Sequence, residues 1–151
     1  MADATKVGFL VVNPEGKVPL VYEAGNDRLS LPKSDVEPGG DHEDVLHEGY
    51  EEETGRDPDQ VVVASYAGTF IRRHVGLEEG HPTSYYLGRT SEVGRLSPRA
   101  AGIVSGHWVR LESVRGVIQN PVDKMVVADN LPLLHAMAVD LGAGETRDAE
   151  A

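Results

Sequence analysis

Leu31-Pro32-Lys33-Ser34-Asp35-Val36-Glu37-Pro38-Gly39-Gly40, followed further on by Glu52-Glu53-Thr54-Gly55, decides the fold. Pro32, Pro38, Gly39 and Gly40 punctuate a turn-rich loop. From Glu43 to Thr54 the chain has no proline and many glutamates, and Gly55 stands just past its end. That pattern predicts a helix with Asp41 as its N-cap and a left-handed glycine closing it. Gly49 inside it costs about 1 kcal/mol of helix propensity relative to alanine. A loop set immediately before a helix of carboxylates suits a cation and a phosphate.

Upstream, Val7 to Val12 is a short apolar run of β-formers, Asn13-Pro14-Glu15-Gly16 supplies a turn, and Val18 to Tyr22 follows, which reads as a hairpin. Gly25-Asn26-Asp27 reads as a second turn, and Leu29 to Leu31 as a brief strand ending at Pro32. Downstream, Val61 to Ile71 reads as a long strand interrupted near Gly68. Ser84 to Gly88 reads as another, with Gly76 to Pro82 between them as a loop, and Gly106 to Leu111 as a third. Asp123 to Asn130 and Leu131 to Leu141 carry apolar residues at helical spacing, with Pro132 opening the second part of a two-part helix. These elements predict one domain over 1–141, an α/β (α+β) sandwich with a mixed sheet between helices, and a disordered acidic tail over 142–151.

Composition narrows the function. The 151 residues carry a formal net charge of −11, which argues against long nucleic acid, whose phosphates need a basic stripe. A small anionic ligand bridged by a divalent cation is compatible with it. There is no cysteine, so thiolate catalysis, disulfides and Cys-based zinc sites are excluded. With no signal-like start and no long apolar run, the expectation is a cytoplasmic protein that does not enter the membrane.

The loop and helix resemble the Nudix box, G-x5-E-x7-R-E-U-x-E-E-x-G-U with U apolar, the signature of the Nudix hydrolases. Leu31-Pro32-Lys33 with Val36-Glu37-Pro38-Gly39 is similar to a Pro-Lys-Gly subgroup, and Trp108-Val109 resembles another common element of the family. Set on the pattern without a gap, Ser34 stands for the first Gly and Gly40 for the first Glu. Glu48 stands for the Arg, Gly49 for the Glu beside it, Tyr50 for an apolar residue and Arg56 for the last one; Glu52, Glu53 and Gly55 match.

The resemblance implies a Nudix-like α/β/α sandwich and a Mg²⁺ or Mn²⁺ ion held by Glu52, Glu53 and a backbone carbonyl near Ser34. Glu52 is then the candidate base. Lys33, Arg72 and Arg73 are the candidate contacts to a phosphate-containing substrate. The three helix positions that serve the cation at i, i+3, i+4 are here Gly49, Glu52 and Glu53, so one carboxylate is missing, while Glu48 and Glu51 are expected on the solvated face. Two functions follow: a hydrolase of a nucleoside-diphosphate-linked or dinucleoside polyphosphate substrate with an altered metal site, or a Nudix-fold protein that binds a ligand, regulates, or catalyses another reaction without cleaving diphosphates. Dimers are common in the family, which makes a homodimer a candidate assembly.

Overall fold

The computed structural model describes residues 4–24, 29–72 and 80–150, without the side chains of 72 and 143–150. The expected turn at Gly25 to Asp27, Arg73, His74 and most of the loop expected from Gly76 lie outside the described residues.

The chain runs β1 (Lys6–Val12), β2 (Lys17–Glu23), β3 (Leu29–Ser30), β4 (Lys33–Asp35), α1 (His42–Thr54), a single 3₁₀ turn at Pro58–Gln60, β5 (Val61–Arg72), β6 (His81–Thr90), β7 (Ile103–Arg110), α2 (Leu111–Val117) and α3 (Pro121–Glu150). A four-stranded sheet has the order β4-β1-β6-β5 and a three-stranded sheet the order β3-β2-β7. β1 and β6 run parallel, and the other pairs of the larger sheet are antiparallel, so that sheet is mixed.

β1 reads as a continuous apolar run because both of its faces are covered. Val7, Phe9 and Val11 pack with Leu46 and Tyr50 of α1. Leu10 and Val12 pack on the other side with Val126, Val127 and Leu134 of α3. The larger sheet therefore lies between helices, as expected.

Three expectations are corrected. β1 and β2 are not a paired hairpin: both edges of β1 are taken, by β4 and β6, and β2 pairs with β3 and β7 in the other sheet. The turn between them is held by Asn13, whose Oδ1 accepts from the backbone N–H of Glu15 and of Lys17. The helix expected in two parts is one element, α3, with Pro132 inside it. An interior proline costs about 3 kcal/mol, but Val126 and Val127 before it and Leu134 and Met137 after it enter the same core, so the helix continues past it. The backbone from Gly142 continues that helix to Glu150. The strand expected to break near Gly68 runs from Val61 to Arg72, and absorbs the irregularity as bulges at Val63/Ser65 and Tyr66/Gly68. No helix among the described residues is long and apolar enough to cross a membrane.

α1 has the ends its sequence announced. Asp41 accepts from the N–H of Asp44, and Gly55 adopts φ 70° with its N–H on the Glu51 carbonyl. The segment after β6 then clasps the helix end: Ser97 N–H donates to Thr54 O, and Arg99 and Ala100 N–H both donate to Glu52 O. A Cβ on Gly55 would lie 2.0 Å from Ser97 O. We expect Gly55→Ala to cost about 2–4 kcal/mol, combining left-handed strain with the collision. Urea unfolding measures it, and a loss under about 0.5 kcal/mol would contradict this account of the clasp.

Candidate functional site

The phase of α1 places its carboxylates. Leu46, Tyr50 and Glu53 fall on one stripe at i, i+4 and i+7. Leu46 and Tyr50 are buried against β1, with the Tyr50 ring stacked on Phe9 at 6.1 Å. Docking that stripe carries Glu53 inward, to 7% exposure. Glu48, Glu51 and Glu52 remain on the exposed side, with Glu51 3.9 Å from Arg99.

Glu53 is therefore the unusual group. The backbone N–H of Lys33 donates to its carboxyl, yet Oε2 is buried with no hydrogen-bond partner. Burial pushes the carboxyl up to about 8. The Lys33 charge and N–H oppose that rise, as does Lys6, while the negative charge of Glu23 adds to it. Val7, Phe9, Pro32, Ser34, Gly49 and Tyr50 close around it and leave no void that holds a water.

Lys33, expected to extend toward an anionic substrate, points inward. Its Nζ donates to Leu31 O at 3.1 Å and to Asp123 Oδ2 at 2.8 Å, and its side chain is 5% exposed. Asp123, in the first turn of α3, is fully buried and accepts from the Tyr85 hydroxyl on its other oxygen. The Asn120 side chain caps that turn, accepting from the N–H of Val122 and Asp123. Sequence reading missed Asp123 and Tyr85 as partners; a carboxylate at a helix start is ordinarily a cap or a dipole partner. Arg72 sits at the end of β5, paired in register with His81, and its side chain lies outside the described residues, as does all of Arg73.

Two departures from the box have local causes. Gly40 closes a turn on the Glu37 carbonyl at 2.8 Å, and a Cβ there would press on that oxygen at 3.0 Å. Arg56, where the pattern has an apolar residue, pairs through Nη2 with Glu92 Oε2 under the loop in which Trp108 Nε1 holds Gly94 O at 2.7 Å. His47 binds neither Glu51 nor a cluster of ligands; its ring nitrogens face the carbonyls of Glu43 and Val61.

A hard divalent cation needs several oxygen ligands. Among the described residues no three His, Asp or Glu side chains converge on one point. The groups that could serve such an ion are a reduced set: Glu53, whose buried Oε2 lacks a partner, Ser34, which lines the same enclosure, and Glu52, its neighbour in sequence. Glu52 is exposed and Glu53 faces inward, so the Glu53 carboxyl must turn for both to meet one ion.

The sequence matches no protein-family model, and no curated protein matches it. Solved structures do. A NUDIX hydrolase from Nitrosomonas europaea superposes with a TM-score of 0.69 at 17% identity, over 87% of this chain and 90% of that one. A C. elegans Ap4A hydrolase in a binary complex gives 0.69 at 14% identity, over 87% and 98%. The NUDIX domain of Shewanella oneidensis NrtR, complexed with ADP ribose, gives 0.69 at 15% identity, over 89% and 90%. The chain has the Nudix fold.

Two outcomes are expected. The folded-state value of Glu53, about 8, lies above the ordinary 4.5, so folding favours the neutral carboxyl. Its contribution is complete below 4.5, falls as pH rises toward 8 and is flat above. Relative to wild type, Glu53→Gln should therefore gain stability between about pH 5 and pH 8, by up to about 1.4 kcal/mol per pH unit. Urea unfolding at several pH values reads this, and parallel profiles would refute it. Asp123→Ala, which strands a buried ammonium, should cost about 3–5 kcal/mol, and Lys33→Met with Asp123→Leu distinctly less. Equal losses would show that Lys33 is not desolvated.

Proposed function

We propose that this Nudix-fold chain hydrolyses a diphosphate linkage in a nucleoside-diphosphate-linked or dinucleoside polyphosphate substrate, at a divalent-cation site reduced to Glu52, Glu53 and Ser34. The observation that supports it is the buried Glu53 oxygen without a hydrogen-bond partner, at the position of the last carboxylate of the box. A buried carboxylate left unsatisfied is costly, and a cation or ligand group supplies what it lacks.

Bound Mg²⁺ or Mn²⁺ would offset charge on the diphosphate. The chain's own residues do the rest. The Lys33 N–H holds Glu53 from behind. The exposed Glu52, whose backbone carbonyl accepts from the N–H of Arg99 and Ala100, would take a proton from an attacking water. Lys33 supports the site from within through Asp123.

A second reading, ligand binding without hydrolysis, is favoured by one specific observation: Gly49 offers no carboxylate, and the room for one is filled by Ser34. ADP-ribose and diadenosine tetraphosphate, the ligand classes named for two of the structural relatives, are the first probes.

Cleavage of either probe with Mn²⁺, lost in Glu52→Gln and in Glu53→Gln, is the expected result. Calorimetric binding of a non-hydrolysable analogue with no cleavage would replace it with the second reading. Because Glu53 must lose its proton to ligate, Mn²⁺ affinity should rise about tenfold per pH unit from pH 6 and level off near 8. A pH-independent affinity would remove Glu53 from the cation site.

A further inference from the structure

Ser34 on β4 and Gly49 on α1 face each other beside Glu53. A Cβ on Gly49 would lie 1.9 Å from Ser34 Oγ and 3.0 Å from Ser34 Cβ. Rotating the serine hydroxyl to another staggered position removes the first contact but not the second, because the backbone fixes both Cβ positions. Nothing else calls for glycine here. Among the described residues the glycines with positive φ are at 16, 39, 55, 68 and 102, so Gly49 keeps a conformation open to any residue. In a helix interior glycine is inferior to alanine. Its presence is explained by Ser34 alone.

In the box pattern, the residue at 34 is the glycine and the residue at 49 carries the carboxylate. Here the side chains stand the other way round. We propose that Ser34 and Gly49 are an exchanged pair, in which the Ser34 hydroxyl occupies the space of the missing side chain and presents the third oxygen of the site beside Glu53. The site then meets its ligand with one neutral oxygen where the intact pattern has a charged one, which lowers its pull on a divalent cation and makes it more tolerant of bare phosphate oxygens. The identity of that ligand rests on the function proposed above; the coupling of positions 34 and 49 does not. It also means that rebuilding the box by Gly49→Glu with Glu48→Arg leaves Ser34 in the way.

A double-mutant cycle separates the two. Gly49→Ala alone should lower Tm by about 2–4 °C despite its better helix propensity, and the same change in a Ser34→Gly background should raise Tm by about as much. Ser34→Gly with Gly49→Glu should bind Mn²⁺ at least about tenfold more tightly than wild type by calorimetry, whereas Gly49→Glu alone should not. An equal rise in Tm for Gly49→Ala in both backgrounds would overturn the coupling. A Ser34→Gly/Gly49→Glu protein that folds with no gain in Mn²⁺ affinity would overturn the assignment of the third oxygen. Failure of the function reading shows elsewhere, as no cleavage of a diphosphate by any variant, while the reversal of sign is read from Tm without a ligand.

Discussion

The docking of α1 on the sheet through Leu46 and Tyr50 is the constraint from which the rest of the site follows, because the same helical stripe carries Glu53 into the protein. A carboxyl on that stripe has little access to bulk water, so its charge depends on what the neighbouring chain supplies. β4 supplies one backbone N–H, from Lys33, and leaves the second oxygen unsatisfied. The departures from the box then read as adjustments around a fixed helix. Gly49 yields to Ser34 on β4, Gly40 yields to the turn that leads into the helix, and Arg56 finds Glu92 beyond the cap.

The second support is the desolvated set of Lys33, Asp123 and Tyr85. It ties β4, the start of α3 and β6 together. A buried ion pair of this kind adds little net stability compared with apolar residues of similar size, since desolvation offsets its attraction. Its effect is on geometry: the Lys33 backbone that donates to Glu53 belongs to the residue whose side chain is anchored on α3.

Local chemistry was legible in the sequence, and contacts between distant residues were not. The two ends of α1 depend on Asp41 and Gly55, each acting within a few residues, and both were read correctly. The layering of a mixed sheet between helices was legible from apolar runs and from the resemblance of the box. The pairing of β1 was not, because a run buried on both faces does not say which strands take its edges. Lys33 was read as reaching outward because its partner on α3 is remote in sequence. Gly49 was legible as a lost carboxylate but not as a steric necessity, since the reason sits on another element. Pro132 was read as a boundary because propensity is local, while the core on both sides of it is not.

Carbon-detected NMR of the Glu53 side chain can follow the state of its carboxyl directly as pH changes. The prediction is a midpoint near 8 in the protein alone, moving acidic when diamagnetic Mg²⁺ and a non-hydrolysable diphosphate are added. A carboxyl that titrates near 4.5, unmoved by either addition, would show that Glu53 is solvated and would remove the constraint on which the site has been built.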